Sequence, residues 1–164
     1  MRKLERSSLR VRTLNFVLIV VVAVLVSPMT GHATTAQDYF REGYVASMKR
    51  DWNVAIDFFN KAIDLNPQDA AAYIQRASAY QMVDRIDDAI KDYQEALMLR
   101  PDYYLAMEYL ANLYVTKNQY AKAIEVYNRA LPLVKDQKWR SVIQWKISEA
   151  RKRAMSARVD KLRQ

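Results

Sequence analysis

The stretch AIKDYQEALMLRP, from Ala89 to Pro101, has two counterparts in the same chain. AIDFFNKAIDLNP begins upstream at Ala55, and AIEVYNRALPLVK begins downstream at Ala123, at the same interval on either side. A sequence that resembles itself at one fixed interval of about 34 residues is typical of a protein built from stacked copies of a small unit. No such unit buries its apolar face alone, so the copies share a core. The interval therefore predicts a repeat architecture.

The repeated positions carry small and aromatic residues at helical spacing. Ala89, Tyr93 and Ala96 fall at i, i+4 and i+7, which is one face of an α-helix. Small side chains are needed where the two helices of one unit cross closely. The predicted facing pairs are Gly43 with Ala55, Ala77 with Ala89, and Ala111 with Ala123. The aromatic positions, expected to fill the space between units, are Phe59, Tyr93 and Tyr127, and the small positions after them are Ala62, Ala96 and Ala130.

Polar residues and prolines divide each unit into two helices. Arg50, Asp84 and Asn118 stand between the apolar runs. Aspartate and asparagine tolerate the left-handed backbone conformation of a tight turn, whereas arginine fits it less well. Pro67 and Pro101 stop the second helix, because the residue before a proline is pushed out of the α region. Each unit is therefore predicted to be a helix, a short turn and a second helix.

This pattern resembles the tetratricopeptide repeat (TPR) family, whose units follow W-x2-L-G-x2-Y…A-x3-F…P over about 34 residues. The resemblance covers about residues 36–137 of the chain. It implies an all-α fold, a solenoid of three helix-turn-helix units at about residues 36–69, 70–103 and 104–137.

The chain departs from this pattern at several places, one of which is Ala46 in place of the tyrosine of the first unit. The leucine position holds Glu42 and Arg76 in the first two units, and only Leu110 in the third unit fits. In the third unit Pro132 comes early, and Lys135 stands where the pattern has proline. The departures at Pro132 and Lys135 concern the end of that unit and not the fold.

The last part of the chain, residues 138–164, leaves the register of the repeats but keeps a helical stripe. The stripe consists of Trp139, Ile143, Ile147, Ala150 and Ala154. Residues 135–164 carry ten Lys or Arg and three acidic side chains, for a net charge of +7. Because repeat arrays need a terminal element with a polar outer face, we predict a basic capping helix over residues 138–164.

The N-terminus has the order of a secretory signal peptide. Five Lys or Arg precede an apolar core from Leu14 to Val26, and Pro28 and Ala33 follow. This order predicts a signal peptide over residues 1–33, cleaved after Ala33, and export to a bacterial periplasm or out of the cell. The alternative is an uncleaved inner-membrane anchor at residues 14–26, although about 13 apolar residues span roughly 20 Å, short of the ~30 Å hydrocarbon core.

The composition leaves few routes to catalysis. The chain has no cysteine, and its one histidine, His32, would be lost with a cleaved signal peptide. Two glycines exclude a glycine-rich phosphate loop. The acidic cluster DRIDD, Asp84 to Asp88, is expected to open a helix, where acids complement the helix dipole. We therefore expect no enzyme activity, no cofactor and no metal site.

Proteins of the family that this chain resembles bind partners on a concave face, which is lined by the first helix of each unit. Large apolar groups on that face, rimmed by polar ones, are typical of an interaction site. The alternative is that the N-terminal segment or the C-terminal helix covers this face. The expected partner-binding residues are Phe40, Tyr44, Met48, Ile74, Gln75, Ser78, Met82, Glu108, Tyr109 and Asn112.

One subgroup of the family clamps the acidic C-terminal tails of cytosolic chaperones with lysine, asparagine and arginine side chains. Cations are the groups that hold a carboxylate strongly. The corresponding positions here are Phe40, Tyr44, Gln75, Leu105 and Tyr109. None of them is a cation, so the resemblance does not extend to a carboxylate clamp.

Two functions of different classes follow from these features. The first is a non-catalytic exported scaffold or adaptor whose concave groove holds a peptide or helix of a protein partner. The second is a structural module that self-assembles or joins a membrane complex through its convex face and basic tail. Residues 151–163 would then contact an anionic membrane peripherally. No nucleic acid partner is expected, because an exported protein would rarely meet one.

Overall fold

The computed structural model describes residues 34–163, in which seven α-helices follow one another. They are α1 (Ala36–Met48), α2 (Trp52–Leu65), α3 (Ala70–Met82), α4 (Ile86–Leu99), α5 (Tyr104–Thr116), α6 (Tyr120–Ala130) and α7 (Gln137–Leu162). Helices pair in chain order, α1 with α2, α3 with α4 and α5 with α6, and each pair packs on the next. The prediction of an all-α solenoid of helix-turn-helix units is confirmed.

The predicted signal peptide, residues 1–33, and the alternative membrane anchor, residues 14–26, lie outside the described residues. Among the helices of residues 34–163, none combines the length and the apolar character that crossing a membrane requires. The structure therefore describes the three repeat units and the terminal helix.

The turn inside each unit has the same backbone conformation. Arg50, Asp84 and Asn118 have φ angles of 65°, 57° and 56°, which confirms the predicted left-handed turns. The amide of the next residue closes each turn by donating to the carbonyl five residues earlier, as in the Schellman motif. These bonds are Asp51 to Ala46 at 3.0 Å, Arg85 to Tyr80 at 2.9 Å and Gln119 to Tyr114 at 2.8 Å.

The prolines set where the second helix of each unit ends. α2 ends at Leu65 and α4 at Leu99, each shortly before a proline. α6 ends at Ala130, just before Pro132, and a short 3-10 turn follows. The early proline thus gives α6 only 11 residues, where α2 and α4 each have 14.

The core consists of the repeated small and aromatic positions, as predicted. Phe59, Tyr93 and Tyr127 are buried, and so are the alanines one turn before and after them. In the first unit, Gly43 also lies close to the aromatic position of α2. A β-carbon added to Gly43 would lie 2.7 Å from the ring of Phe59, and its three nearest neighbours all belong to that ring. Gly43 therefore makes room for the ring of Phe59, which lies one helical turn after Ala55 on α2.

The terminal helix α7 packs on α6 through its first half. Ile143, Ile147 and Ala150 are buried there, as the predicted stripe required, and Trp139 lies at the exposed edge. Asp136 caps the start of α7 by accepting a hydrogen bond from the amide of Trp139 at 2.7 Å. The second half of α7 is almost entirely exposed.

Candidate protein-binding face

Four of the predicted residues form an open apolar surface on the first helices of the three units. The exposed fraction is 48% for Tyr44, 74% for Met48, 58% for Met82 and 43% for Tyr109. The i, i+4 spacing of Tyr44 and Met48 places both on one side of α1. Four further predicted residues are half-buried, namely Phe40, Gln75, Ser78 and Asn112. Eight of the ten predicted side chains thus keep some access to solvent.

The expectation that all ten side chains are open to a partner is wrong for two of them. Ile74 is only 7% exposed, because it packs in the hydrophobic core. Glu108 is only 5% exposed, because a lysine from α7 covers it. Neither side chain is available to a partner in this conformation.

The lysine that covers Glu108 is Lys146, which joins α7 to α5. Its Nζ donates to Glu108 Oε1 at 2.6 Å and to Asn112 Oδ1 at 3.1 Å. Asn112 Oδ1 also accepts a hydrogen bond from the Tyr127 hydroxyl at 2.6 Å. A buried carboxylate without such a partner would be strongly destabilising, so this network holds α7 in place beside the concave face.

Trp145 extends the concave face onto α7, and the sequence analysis missed it. Its side chain is 64% exposed, and together with Asn112, Val115 and Tyr127 it lines a cavity of about 150 Å³. It was missed because residues 138–164 were treated as outside the register of the repeats. α7 begins one position earlier than the repeat interval would place it, and with that offset Trp145 aligns with Asn112. This offset of one position was the sequence feature that could have identified Trp145.

The hydroxyl groups of Tyr93 on α4 and Tyr127 on α6 form hydrogen bonds with polar side chains of the concave face. The Tyr93 hydroxyl donates to Gln81 Oε1 at 2.8 Å and lies 3.1 Å from Ser78 Oγ. Its ring stacks on Tyr109, with ring centroids 5.8 Å apart. Burial raises the pKa of Tyr93 to about 12. Burial, together with the charge of Glu108, also raises the pKa of Tyr127 to about 12. Both hydroxyls are therefore neutral donors at physiological pH.

Three cations on the helices of this face are paired with carboxylates. The pairs are Arg41 with Asp38 at 3.6 Å, Lys146 with Glu108 at 2.6 Å, and Arg153 with Glu149 at 3.0 Å. The five positions of a carboxylate clamp hold Phe40, Tyr44, Gln75, Leu105 and Tyr109. The open part of the concave face is consequently apolar rather than cationic.

The acidic cluster at the start of α4 pairs with cations of the same region. Asp87 pairs with Lys117, and Asp88 pairs with Arg85 and Lys91. The hydrogen bond from Arg85 lowers the pKa of Asp88 below its ordinary value. Asp87 and Asp88 occupy the first turn of α4, the position predicted for them. Over residues 34–163, no three His, Cys, Asp or Glu side chains are grouped so that they could hold a metal ion.

Comparison with known proteins gives a consistent result. Residues 74–138 match the family model described as tetratricopeptide repeat. The chain is 29% identical over 96 residues to small glutamine-rich tetratricopeptide repeat-containing protein 2 of Mycosarcoma maydis, which covers 58% of this chain and 27% of that protein. The chain spans less than a third of the length of the curated relatives it matches.

Two solved structures illustrate the likeness of fold. The Arabidopsis OM64 TPR domain matches with a TM-score of 0.65 and 23% identity, over 73% of this chain and 98% of that domain. The first TPR of Spaghetti (RPAP3), solved bound to the HSP90 peptide SRMEEVD, matches with a TM-score of 0.65 and 24% identity, over 72% and 94%. The repeat geometry, the family match and these folds agree. The described part of the chain is an α-solenoid of helix-turn-helix units that ends in a C-terminal helix, and its residues 74–138 match the tetratricopeptide repeat model.

Proposed function

We propose that this chain is a non-catalytic interaction scaffold whose concave face binds a peptide or helix of a protein partner. The observation that carries the proposal is a set of large apolar side chains left open across four helices. They are Tyr44, Met48, Met82, Tyr109 and Trp145. Large apolar groups left exposed in this way mark interaction sites, and aromatic side chains among them carry most of the binding energy.

The partner that fits this surface is anchored by apolar side chains rather than by an acidic tail. The structural neighbour bound to SRMEEVD holds an acidic peptide. In this chain the corresponding clamp positions are uncharged, and Lys146 is already paired with Glu108. A carboxylate entering the concave face would lose its hydration without gaining a free cation. An apolar or amphipathic segment gains contact with Tyr109 and Trp145 instead.

The proposal includes export of the protein. Its support is the sequence of residues 1–33, with basic residues, an apolar core and Ala33 in the order of a signal peptide. The partner would then be a protein of the periplasm or of the cell exterior. Mass spectrometry of the protein from cells should find the mature N-terminus at Thr34 or shortly after it. An intact segment from Met1 to Ala33 would support the anchor at residues 14–26 instead.

Selection from a random peptide library tests the binding proposal. The full chain serves as bait, and a variant with Tyr44, Tyr109 and Trp145 changed to alanine serves as the comparison. We expect peptides with large apolar side chains to bind the wild type and to lose most of their affinity for the variant, because buried aromatic anchors contribute roughly 2 kcal/mol or more each. Synthetic SRMEEVD should show no measurable binding.

The control variant changes three exposed apolar residues away from the concave face. Val54, Leu65 and Met98 are comparably exposed, and their replacement by alanine should leave the selected peptides bound. Added salt should also change their affinity little, since few screened charges take part. Selection of acidic peptides, or equal binding to both triple variants, would contradict the proposal.

A further inference from the structure

The second half of α7 has a surface that packing in the solenoid does not explain. All of residues 151–162 are exposed except Ala154, which is half-buried. At a rise of 1.5 Å per residue this segment is about 18 Å long. A helix of this length that buries so little presents nearly its whole circumference to solvent or to a partner.

One side of the segment faces the repeats. Ala154, Ala157 and Lys161 are spaced at i, i+3 and i+7, and with Tyr120 and Ala121 they line a cavity of about 480 Å³, which Arg158 borders as well. These residues therefore mark the side of α7 that looks toward the start of α6. The opposite side points away from the solenoid.

The outward side carries a stripe of large apolar residues. Met155, Val159 and Leu162 are all exposed, and their spacing of i, i+4 and i+7 places them on one face of the helix. They do not share that face with Ala154 and Ala157. An apolar stripe turned away from the core of its own protein has no role in folding and is available for binding.

Cations flank the stripe on both sides. Arg151, Lys152 and Arg158 each lie at i±3 or i±4 from a member of the stripe, which makes them its neighbours on the helix surface. None of the three forms an ion pair with any residue between 34 and 163. Residues 151–163 contain six Lys or Arg and one acidic residue, for a net charge of +5.

We propose that residues 151–163 are a docking helix for an anionic phospholipid bilayer. Met155, Val159 and Leu162 enter the boundary of the acyl chains, and the flanking cations lie among the headgroups. A basic helix with an exposed apolar stripe has the two features that interfacial membrane binding requires. A nucleic acid would use the charges but would leave the apolar stripe in water. One short helix of this kind gives reversible attachment. The stripe lies on the second half of α7, whereas Trp145 of the concave face lies on the first half.

A single fluorescent label tests the proposal within the full chain. Because the chain has no cysteine, Val159→Cys provides one site for an environment-sensitive dye, and Asp160→Cys provides the matched control at the adjacent position on the helix. We expect vesicles containing phosphatidylglycerol to shift the emission of the dye at position 159 to the blue. The dye at position 160 should shift little, and phosphatidylcholine vesicles should shift neither. Because the label reports a local environment, binding through residues 14–26 would not produce this difference.

A charge variant gives the second arm of the experiment. Changing Arg151, Lys152 and Arg158 to glutamate should raise the vesicle concentration for a half-maximal shift on the order of tenfold or more, because each cation near an anionic surface contributes favourably. Circular dichroism checks that the helix content is kept. Equal shifts at positions 159 and 160, no shift at either, or a shift with a DNA duplex but not with vesicles would overturn the proposal.

Discussion

Arg76 donates two hydrogen bonds to Asp92, from Nε to Oδ2 and from Nη2 to Oδ1, both at 2.7 Å. Its Nη1 donates to Asn60 Oδ1 at 2.8 Å, so that one guanidinium joins α2, α3 and α4. Burial by itself would lower the pKa of Arg76, but the hydrogen bond and the charge of Asp92 hold that pKa above its ordinary value. The largely buried ion pair therefore lies within the second unit, and the hydrogen bond to Asn60 links it to the first unit.

The corresponding positions of the third unit hold Leu110 and Val126, which are both buried. Arg76 thus departs from the leucine of the family pattern together with Asp92, its partner on α4. Changing Asp92 to alanine should leave the guanidinium buried without its carboxylate and lower the free energy of unfolding by about 3–5 kcal/mol. Urea unfolding monitored by circular dichroism measures this loss.

The double variant Arg76→Leu with Asp92→Val is the matched control, since it copies the pair of the third unit. Apolar replacement of a buried ion pair is often neutral or stabilising, so this variant should unfold within about 1 kcal/mol of the wild type. A single Asp92→Ala variant as stable as the wild type would show that the pair contributes little.

Gly43→Ala tests the close contact between α1 and α2. On helix propensity alone, alanine should stabilise α1 by about 0.5–1 kcal/mol. The new β-carbon would lie 2.7 Å from the ring of Phe59, so we expect destabilisation of about 1–3 kcal/mol instead. Adding Phe59→Leu should recover part of this loss in a thermal melt. A higher melting temperature for Gly43→Ala alone would rule out the close contact.

Arg50→Gly tests the left-handed turn of the first unit. Arginine at a φ of 65° carries a steric penalty that glycine lacks, so the variant should gain roughly 1 kcal/mol in unfolding free energy. Lys49→Gly is the control, because Lys49 has a φ of −81° and gains nothing from glycine. That control should be neutral or less stable. Equal effects of the two substitutions would contradict the assignment of the turn.

The buried tyrosines predict how stability depends on alkaline pH. Burial raises the pKa of Tyr93 from about 10 in the unfolded chain to about 12 in the folded one. Tyr93 therefore contributes its full stabilisation of the fold below about pH 10, and this stabilisation is lost as the pH rises toward about 12. Between these two pKa values the folded chain keeps a proton on Tyr93 that the unfolded chain has lost. Raising the pH therefore favours the unfolded chain, and the free energy of unfolding falls by about 1.4 kcal/mol per pH unit. Urea midpoints across this range should fall less steeply for Tyr93→Phe than for the wild type. Identical slopes would show that Tyr93 ionises equally in both states.

The regular repeat interval was enough to predict the helices, the turns and the buried aromatic positions, because each copy of the unit repeats the same packing constraints. Long-range pairing between specific side chains was not predictable in this way. Arg76 appears in the sequence only as a departure from the pattern, and its partner Asp92 lies on another helix. Glu108 was expected to be open for the same reason, because its partner Lys146 belongs to a different element.

The part of the candidate site that lies on α7 was also hidden. Trp145 follows the repeats at an interval one position shorter than theirs, after a third unit shortened by Pro132. Because of this change, Trp145 does not fall on a position that the repeat interval aligns with the concave face. Its place beside Asn112 became clear only from the packing of α7 against the third unit.

Site-specific photo-crosslinking in cells tests most directly whether the concave face binds a protein partner. A photoreactive phenylalanine analogue is placed at Tyr109 or Trp145, and for comparison at Met98, which is comparably open but belongs to α4. We predict protein adducts from positions 109 and 145 that disappear when Tyr44 and Met82 are changed to alanine, and no comparable adducts from position 98. Adducts of equal yield at position 98, or adducts at 109 and 145 that persist in the alanine variant, would contradict the account.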